Sequence, residues 1–224
     1  MSDGQMHTIK IEGLTVRYAT PKGEVTALQA IDLQLNSGQI YGLVGPNGSG
    51  KSTLFKSIMG LISPTTGEVT INDAPIKAAL KEGVLAYVPQ TEAIDWDFPI
   101  SVYEVVMMGR YHHLGWLRRP RAIDHQVVET ALARVNLTNY RQRQIGALSG
   151  GQRKRVFVAR ALAQQSPILL LDEPFTGVDQ RSEHEIITLL RGLKKEGYLI
   201  LLSTHNLGSI PLFCDEVILL NQQL

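Results

Sequence analysis

The chain is 224 residues long, 44% apolar and 19% charged, with a net charge of +1. This suits one domain with a sizeable core, excludes a disordered chain, and offers no bulk field for nucleic acid or an anionic surface. The single cysteine, Cys214, excludes an internal disulfide, fits a reducing compartment and reads as a small core residue.

The first residues, MSDGQMHTIKIEG, show no basic segment followed by an apolar stretch, so no signal peptide is expected. Residues 8–18 and 31–38 alternate with period two around a PKGE turn at 21–24, and predict antiparallel strands. Residues 39–45, QIYGLVG, are apolar without alternation and predict a buried parallel strand. A Gly-rich turn and a helix over 51–61 should follow, then strands at 67–73 and 84–89. The character changes at about residue 91. Both tryptophans and a clear helical period, as in 124–135, lie before 147. Beyond it come a helix (152–165), a buried strand (168–172), a helix (182–196), a buried strand (198–203) and a last strand (216–220).

Helices alternating with apolar strands imply a parallel sheet. The expected organisation is one α/β domain with a mainly parallel P-loop core and an antiparallel β region (1–90 and 148–224). A helical subdomain is inserted at 91–147. No apolar run approaches the ~18 residues that cross a bilayer, so membrane work would need another chain to do the spanning.

Residues 45–53, GPNGSGKST, satisfy the phosphate-loop pattern G-x-x-x-x-G-K-[ST]. Glycines let the backbone wrap around phosphate oxygens, so Gly45, Pro46, Asn47, Gly48, Ser49, Gly50 and Thr53 are expected at the ligand. Lys51 can reach the β and γ phosphates, Ser52 can offer its hydroxyl to Mg²⁺, and the helix starting there aims its positive end at the anion. In ILLLDEP (168–174), Asp172 ends an apolar strand where it can hold the magnesium shell. Glu173 can orient or deprotonate water. A second anion-facing loop occurs in ALSGGQRKRV (147–156), at Ser149, Gly150, Gly151 and Gln152. The following Arg153, Lys154 and Arg155 read as a solvated helix face. One chain thus carries two loops suited to phosphate.

GPNGSGKST, ALSGGQ and ILLLDEP, in this order, resemble the nucleotide-binding subunit of an ATP-binding cassette (ABC) transporter over essentially the whole chain. The resemblance implies ATP and Mg²⁺ as cofactors, the metal being held by Ser52, Asp172 and Gln90 of YVPQ, a glutamine that also hinges the helical subdomain. It implies catalytic roles for Glu173, Lys51, Gln90 and the γ-phosphate-sensing His205 of STHN. It also implies a nucleotide contact for Asp179 of TGVD. Tyr18 matches the aromatic that stacks on adenine, unless the long turn after it shifts the ring. Members of the family form head-to-tail dimers, so the second loop is expected to close on ATP held by a second copy. The other partners implied are polytopic membrane permease subunits and, indirectly, a substrate-binding protein. No nucleic acid is implied, and the expected place is the cytoplasmic face of the membrane.

Residues 91–116, with their DWDFP run, resemble the importer ATPases for transition metals and metal chelates. Manganese is favoured, with zinc or iron as alternatives. A soluble ABC ATPase without a transporter is the rival, but it usually carries coiled-coil insertions or two cassettes. A purely regulatory nucleotide-binding module is disfavoured by Glu173 and His205. His112 and His113 are adjacent, so in a helix they point about 100° apart and read as surface or packing residues. Trp96, Phe98, Tyr103, Val106 and Met107 either line a groove for a coupling helix or form the subdomain's own core. Asp95 and Asp97 either pair with a basic partner or are solvated. The chain closes on NQQL (221–224), where the family usually continues with a strand and C-terminal helices, so no regulatory C-terminal domain is expected.

Overall fold

The computed structural model describes residues 6–21, 23–90, 96, 98–205, 208 and 210–221. Two sheets organise it. Strands β1 (Thr8–Thr20), β2 (Gly23–Asn36), β4 (Thr66–Ile71) and β5 (Ala74–Pro75) form an antiparallel sheet in the order β2-β1-β4-β5. Strands β3 (Gln39–Val44), β6 (Leu85–Val88), β7 (Ile168–Asp172), β8 (Leu199–Thr204) and β9 (Glu216–Leu219) form a parallel sheet in the order β6-β7-β8-β3-β9. The expected α/β architecture is present. The two alternating segments at the N-terminus are one long hairpin, whose strand β1 carries register shifts between Ile11 and Arg17.

The helices are α1 (Lys51–Ile58), α2 (Ile76–Lys81), α3 (Val102–Met107), α4 (Ala122–Arg134), α5 (Gly150–Ala163) and α6 (Gln180–Lys195). Some of these differ from expectation. Helix α1 stops at Ile58 rather than 61, because Gly60 turns left-handed (φ 65°) and its amide closes back on Ser57 O. Helix α5 starts two residues earlier than predicted, with Ser149 as its cap. Helix α2 was not expected at all.

Parallel strands buried on both faces divide their side chains by parity. Leu169, Leu171, Ile200 and Leu202 point to a core shared with α3, α4, α5 and α6, where Val105, Val128, Leu132, Val156 and Leu190 are fully buried. Ile168, Leu170, Leu199 and Leu201 point the other way, to α1 and the antiparallel sheet, with Leu54, Phe55, Ile11 and Leu35. Residues 102–137 therefore share a continuous core with the sheet through α5. A buried ion pair fixes this region. Arg110 Nε donates to Asp124 Oδ1 at 3.0 Å, and its guanidinium also reaches Ala163 O at the end of α5 (2.8 Å).

Candidate functional site

The parallel register brings four strand ends to one level. Val88 pairs with Leu171, Asp172 with Ser203, and Val44 with Thr204. The residues just beyond these pairs, at the carboxyl edge where open α/β sheets hold ligands, are Gln90, Glu173, His205 and the loop from Gly45.

Gly45 could bear no other side chain: a Cβ there would lie 2.1 Å from Leu220 O. Gly50 adopts φ 102° as the cap of α1, and a Cβ would meet Ala27 O at 2.6 Å. These glycines fold residues 45–50 into a tight turn that leads into α1, whose N-terminus carries no side-chain cap and no acidic residue in its first turn. Its first amides thus face outward as an uncompensated positive end. Lys51 is buried to 9% exposure and curls over the loop, donating to Gly45 O (2.6 Å) and Pro46 O (3.0 Å). Ser49 Oγ is buried and, among the described residues, has no hydrogen-bond partner. Pro46, Asn47, Gly48 and Ser52 are exposed. Tyr18 stays in the β1–β2 ladder opposite Val25, and its hydroxyl lies 3.3 Å from Thr53 Oγ1, so the ring stands beside this loop.

Asp172 and Glu173 depart from the end of β7 in different directions. Asp172 is 9% exposed and accepts hydrogen bonds from the Ser203 hydroxyl and from Tyr87 OH (3.4 Å). Glu173 takes a left-handed backbone (φ 47°), unusual for a side-chain-bearing residue. Its amide donates to Ser203 Oγ at 2.9 Å. One serine hydroxyl therefore holds both acids, donating to the first and accepting from the amide of the second. Three groups converge on Glu173 Oε2: Gln90 Nε2 at 2.8 Å, Thr176 Oγ1 at 2.9 Å and His205 Nδ1 at 3.3 Å. Gln90, Glu173 and His205, expected from three separate stretches, thus meet at one carboxylate oxygen. Ser203 and Thr176 were not foreseen. Serine or threonine beside a carboxylate is a faint signal until the strand register is known.

The second loop has its own geometry. Ser149 and Gln152 form a reciprocal capping box, with Gln152 N–H on Ser149 Oγ (3.3 Å) and Ser149 N–H on Gln152 Oε1 (3.0 Å). Among the described residues, the Gly150 and Gly151 amides have no protein acceptor. Gly151 is buried against the start of α6: a Cβ would lie 2.5 Å from Ser182 Oγ and 3.0 Å from Asp179 Oδ2. Asp179 caps α6, accepting from Ser182 N–H (2.9 Å) and Ser182 OH (2.8 Å), bonds that hold its carboxyl below the usual range.

The basic run behind the loop is not a solvated face, and that expectation is corrected. Arg153 stacks over the Trp96 ring at 4.3 Å and donates to Gly146 O. Lys154 donates to the Pro89 and Gln90 carbonyls. Arg155 is 9% exposed and bonds Val135 O and Glu185. Helix α5 packs close to the end of α4, to α6 and to the segment after β6, where these long side chains find acceptors.

Of the expected groove, Val106 is fully buried and lines no surface, whereas Phe98 is 59% exposed. Trp96, Tyr103 and Met107 are half-buried against the core, Tyr103 being bonded to His125 Nδ1. A cavity of about 200 Å³ lies between Gln90, Trp96, Gly150, Lys154 and Thr176. Asp95 and Asp97 lie outside the described residues. His113 bonds Gln164 O (2.8 Å) and His112 packs on Gly83, as packing residues do. Cys214 packs beside Gly42, and burial raises its thiol to about 12. Among the described residues no cluster of three metal ligands occurs and no helix is long and apolar enough to cross a membrane.

Comparison with known proteins gives a consistent pattern. Residues 28–176 match the family model described as ABC transporter. The chelated iron transport system membrane protein YfeB of Yersinia pestis is 57% identical over 95% of this chain and 71% of its own length. The manganese transport system ATP-binding protein MntA of Synechocystis is 51% identical over 96% of this chain and 82% of its own. Others are named for manganese or zinc transport. Among solved structures, an inward-facing ABC transporter described as metal-chelate type aligns with TM-score 0.84 at 30% identity, covering 96% of this chain and 80% of that one. A dimeric bacterial ABC transporter cassette aligns with TM-score 0.81 at 28% identity, covering 96% of each.

Proposed function

This chain belongs to the ABC transporter family as an ATP-binding subunit that couples ATP hydrolysis to transport, and from that premise we propose that it energises import of manganese into the cell. The run of relatives named for manganese transport supports that metal. The 57% identity to a relative named for chelated iron keeps iron as the second reading.

The carrying observation for the chemistry is the convergence of Gln90, Thr176 and His205 on one oxygen of Glu173. Triphosphate seats in the loop of residues 45–50 against the uncapped end of α1. Lys51 exchanges its bonds to the Gly45 and Pro46 carbonyls for phosphate oxygens, and Ser49 Oγ gains the partner it lacks within the protein. Tyr18 stacks on the base. Gln90 and Thr176 orient the Glu173 carboxylate, which accepts a proton from water as the oxygen attacks the γ-phosphate. His205 stands at the same oxygen, placed to reach the transferring group.

The donor set fits magnesium: the Ser52 hydroxyl, the Asp172 carboxylate and the Gln90 side-chain oxygen are hard oxygen ligands. Mg²⁺, when bound, neutralises charge on the β and γ oxygens. A second copy docks head-to-tail and presents Ser149 and the Gly150 and Gly151 amides to the same γ-phosphate, with Asp179 at the seam. A dimeric cassette among the structural relatives supports this pairing. The permease subunits dock near the cavity at Gln90 and Trp96, on the cytoplasmic face of the membrane, and a substrate-binding protein delivers metal from the far side.

Glu173→Gln should bind ATP, accumulate as a closed dimer, and release phosphate about 10²–10⁴-fold more slowly. Turnover near the wild-type rate would remove Glu173 from the role of base. Uptake of manganese, zinc and iron compared in a deletion strain tests the cargo. Loss of zinc or iron uptake with manganese unaffected would overturn the manganese assignment.

A further inference from the structure

From residue 105 to 123 the chain has no aspartate or glutamate but four arginines, in a protein whose overall charge is near zero. Arg110 is spent internally on Asp124. The other three, Arg118, Arg119 and Arg121, are exposed and directly follow a tip made of Trp116 and Leu117, which are 95% and 70% exposed. Single exposed apolar residues need no explanation. Here two stand together on a turn that the fold holds out. Arg118 N–H closes on Gly115 O at 2.9 Å, so Trp116 and Leu117 are the central pair of that turn. Arg118 takes φ 51°, lies over the Tyr111 ring at 3.9 Å and donates to Tyr111 O at 3.0 Å. Arg121 bonds His113 O (3.3 Å) and Asp124 (3.4 Å) on the other side. The base of the loop is pinned on both flanks, so the tip needs little further ordering to bind.

We propose that this turn is a peripheral membrane anchor: Trp116 and Leu117 enter the headgroup boundary of the bilayer while Arg119 faces anionic lipid phosphates, with the exposed but internally bonded Arg118 and Arg121 adding positive charge beside it. Indole belongs at the water–hydrocarbon boundary, being apolar in body with one polar N–H. A basic collar adds attraction to an anionic surface worth roughly fivefold in partitioning per arginine. At 95% and 70% exposure, Trp116 and Leu117 stand clear of the fold, which suits a diffuse anionic surface better than a shaped protein pocket. The anchor adds a second, weak attachment to a subunit otherwise held only through its permease. It rests on the assignment to a membrane transporter, but its primary readout, vesicle binding by the isolated chain, needs neither permease nor ATP.

Purified chain is mixed with vesicles of phosphatidylcholine alone or with one-third phosphatidylglycerol, and sedimented. Binding is expected to the anionic vesicles, to fall as salt rises, and to drop at least about tenfold in the Trp116→Ser/Leu117→Ser double variant. Arg119→Glu should lose about fivefold or more, while Leu61→Ser, at another exposed apolar position (69%), should bind as wild type. ATP turnover of all these variants should match the parent chain, showing that the fold is intact. Absence of vesicle binding, or equal binding by the double variant, overturns the anchor. If vesicle binding is absent and the double variant instead fails to co-purify with the permease, the tip is a protein contact and the proposal is wrong. The ATPase assignment survives either failure.

Discussion

Helices α1 and α5 both begin over glycines, and each was expected to face phosphate, yet their N-termini are finished in opposite ways. Helix α1 starts at Gly50 with no capping side chain and a basic residue, Lys51, at its first position. Helix α5 starts at Ser149 with a complete capping box that satisfies the Ser149 and Gln152 amides internally. Among the described residues, the Gly150 and Gly151 amides and the serine hydroxyl proton are left to give. An open end with a lysine is built to seat a multiply charged ligand. A capped end with two spare amides suits the proposed role of completing a site seated in a second copy. On the proposed head-to-tail pairing, two phosphate loops in one chain are not redundant: one would be the seat, the other the lid.

That contrast can be broken most sharply at Ser149. Ser149→Arg should cut phosphate release about 10²–10³-fold, the scale of losing a preorganised donor at the transferring group, while ATP affinity of the monomer stays unchanged. Lost affinity in the monomer would mean the loop serves its own nucleotide. Lys51→Ala should do the reverse, weakening nucleotide binding by about 10–100-fold, as loss of a charge-assisted bond implies, in a direct titration. A smaller effect comes from Gly151→Ala, which pushes a methyl into Ser182 and Asp179. It should cost about 1–3 kcal/mol of stability, read as a lower denaturation midpoint, with the P-loop untouched. The smallest lies in the acid limb. Because its bonds to Ser182 depress the Asp179 carboxyl, the stability they supply is complete above the unfolded value near 3.8 and lost as pH falls through the lower folded one. Asp179→Asn should flatten the stability profile below about pH 4 and leave the profile at neutral pH nearly level.

Much of this was legible in the chain because it is local. The run at 39–44, the glycine spacing to Lys51, and ILLL ending in Asp172 each carry their own meaning within a few residues. What escaped notice depends on register. Ser203 matters only because β8 pairs with β7 so that it falls opposite Asp172, and Thr176 only because the chain turns back after Glu173. Helix α2 is six residues long, too short for a period to show. The arginines and lysine of α5 read as solvent-facing because charge usually is, but their acceptors at Gly146, Gln90 and Val135 are set by tertiary packing. The placement of Gln90, Glu173 and His205 at one oxygen had to await the sheet.

Lys154 grips the carbonyls of Pro89 and Gln90. It lies five residues along α5 from Ser149, about 7.5 Å of helix. In a head-to-tail pair, the same rigid rod touches the partner's nucleotide at its tip and steadies its own subunit's glutamine one and a half turns later. If the proposed pairing holds, each rod is a strut shared between two combustion chambers, and neither chamber would be sealed alone. Turnover plotted against ATP concentration should be sigmoidal, and a pair carrying one dead subunit should idle rather than run at half speed.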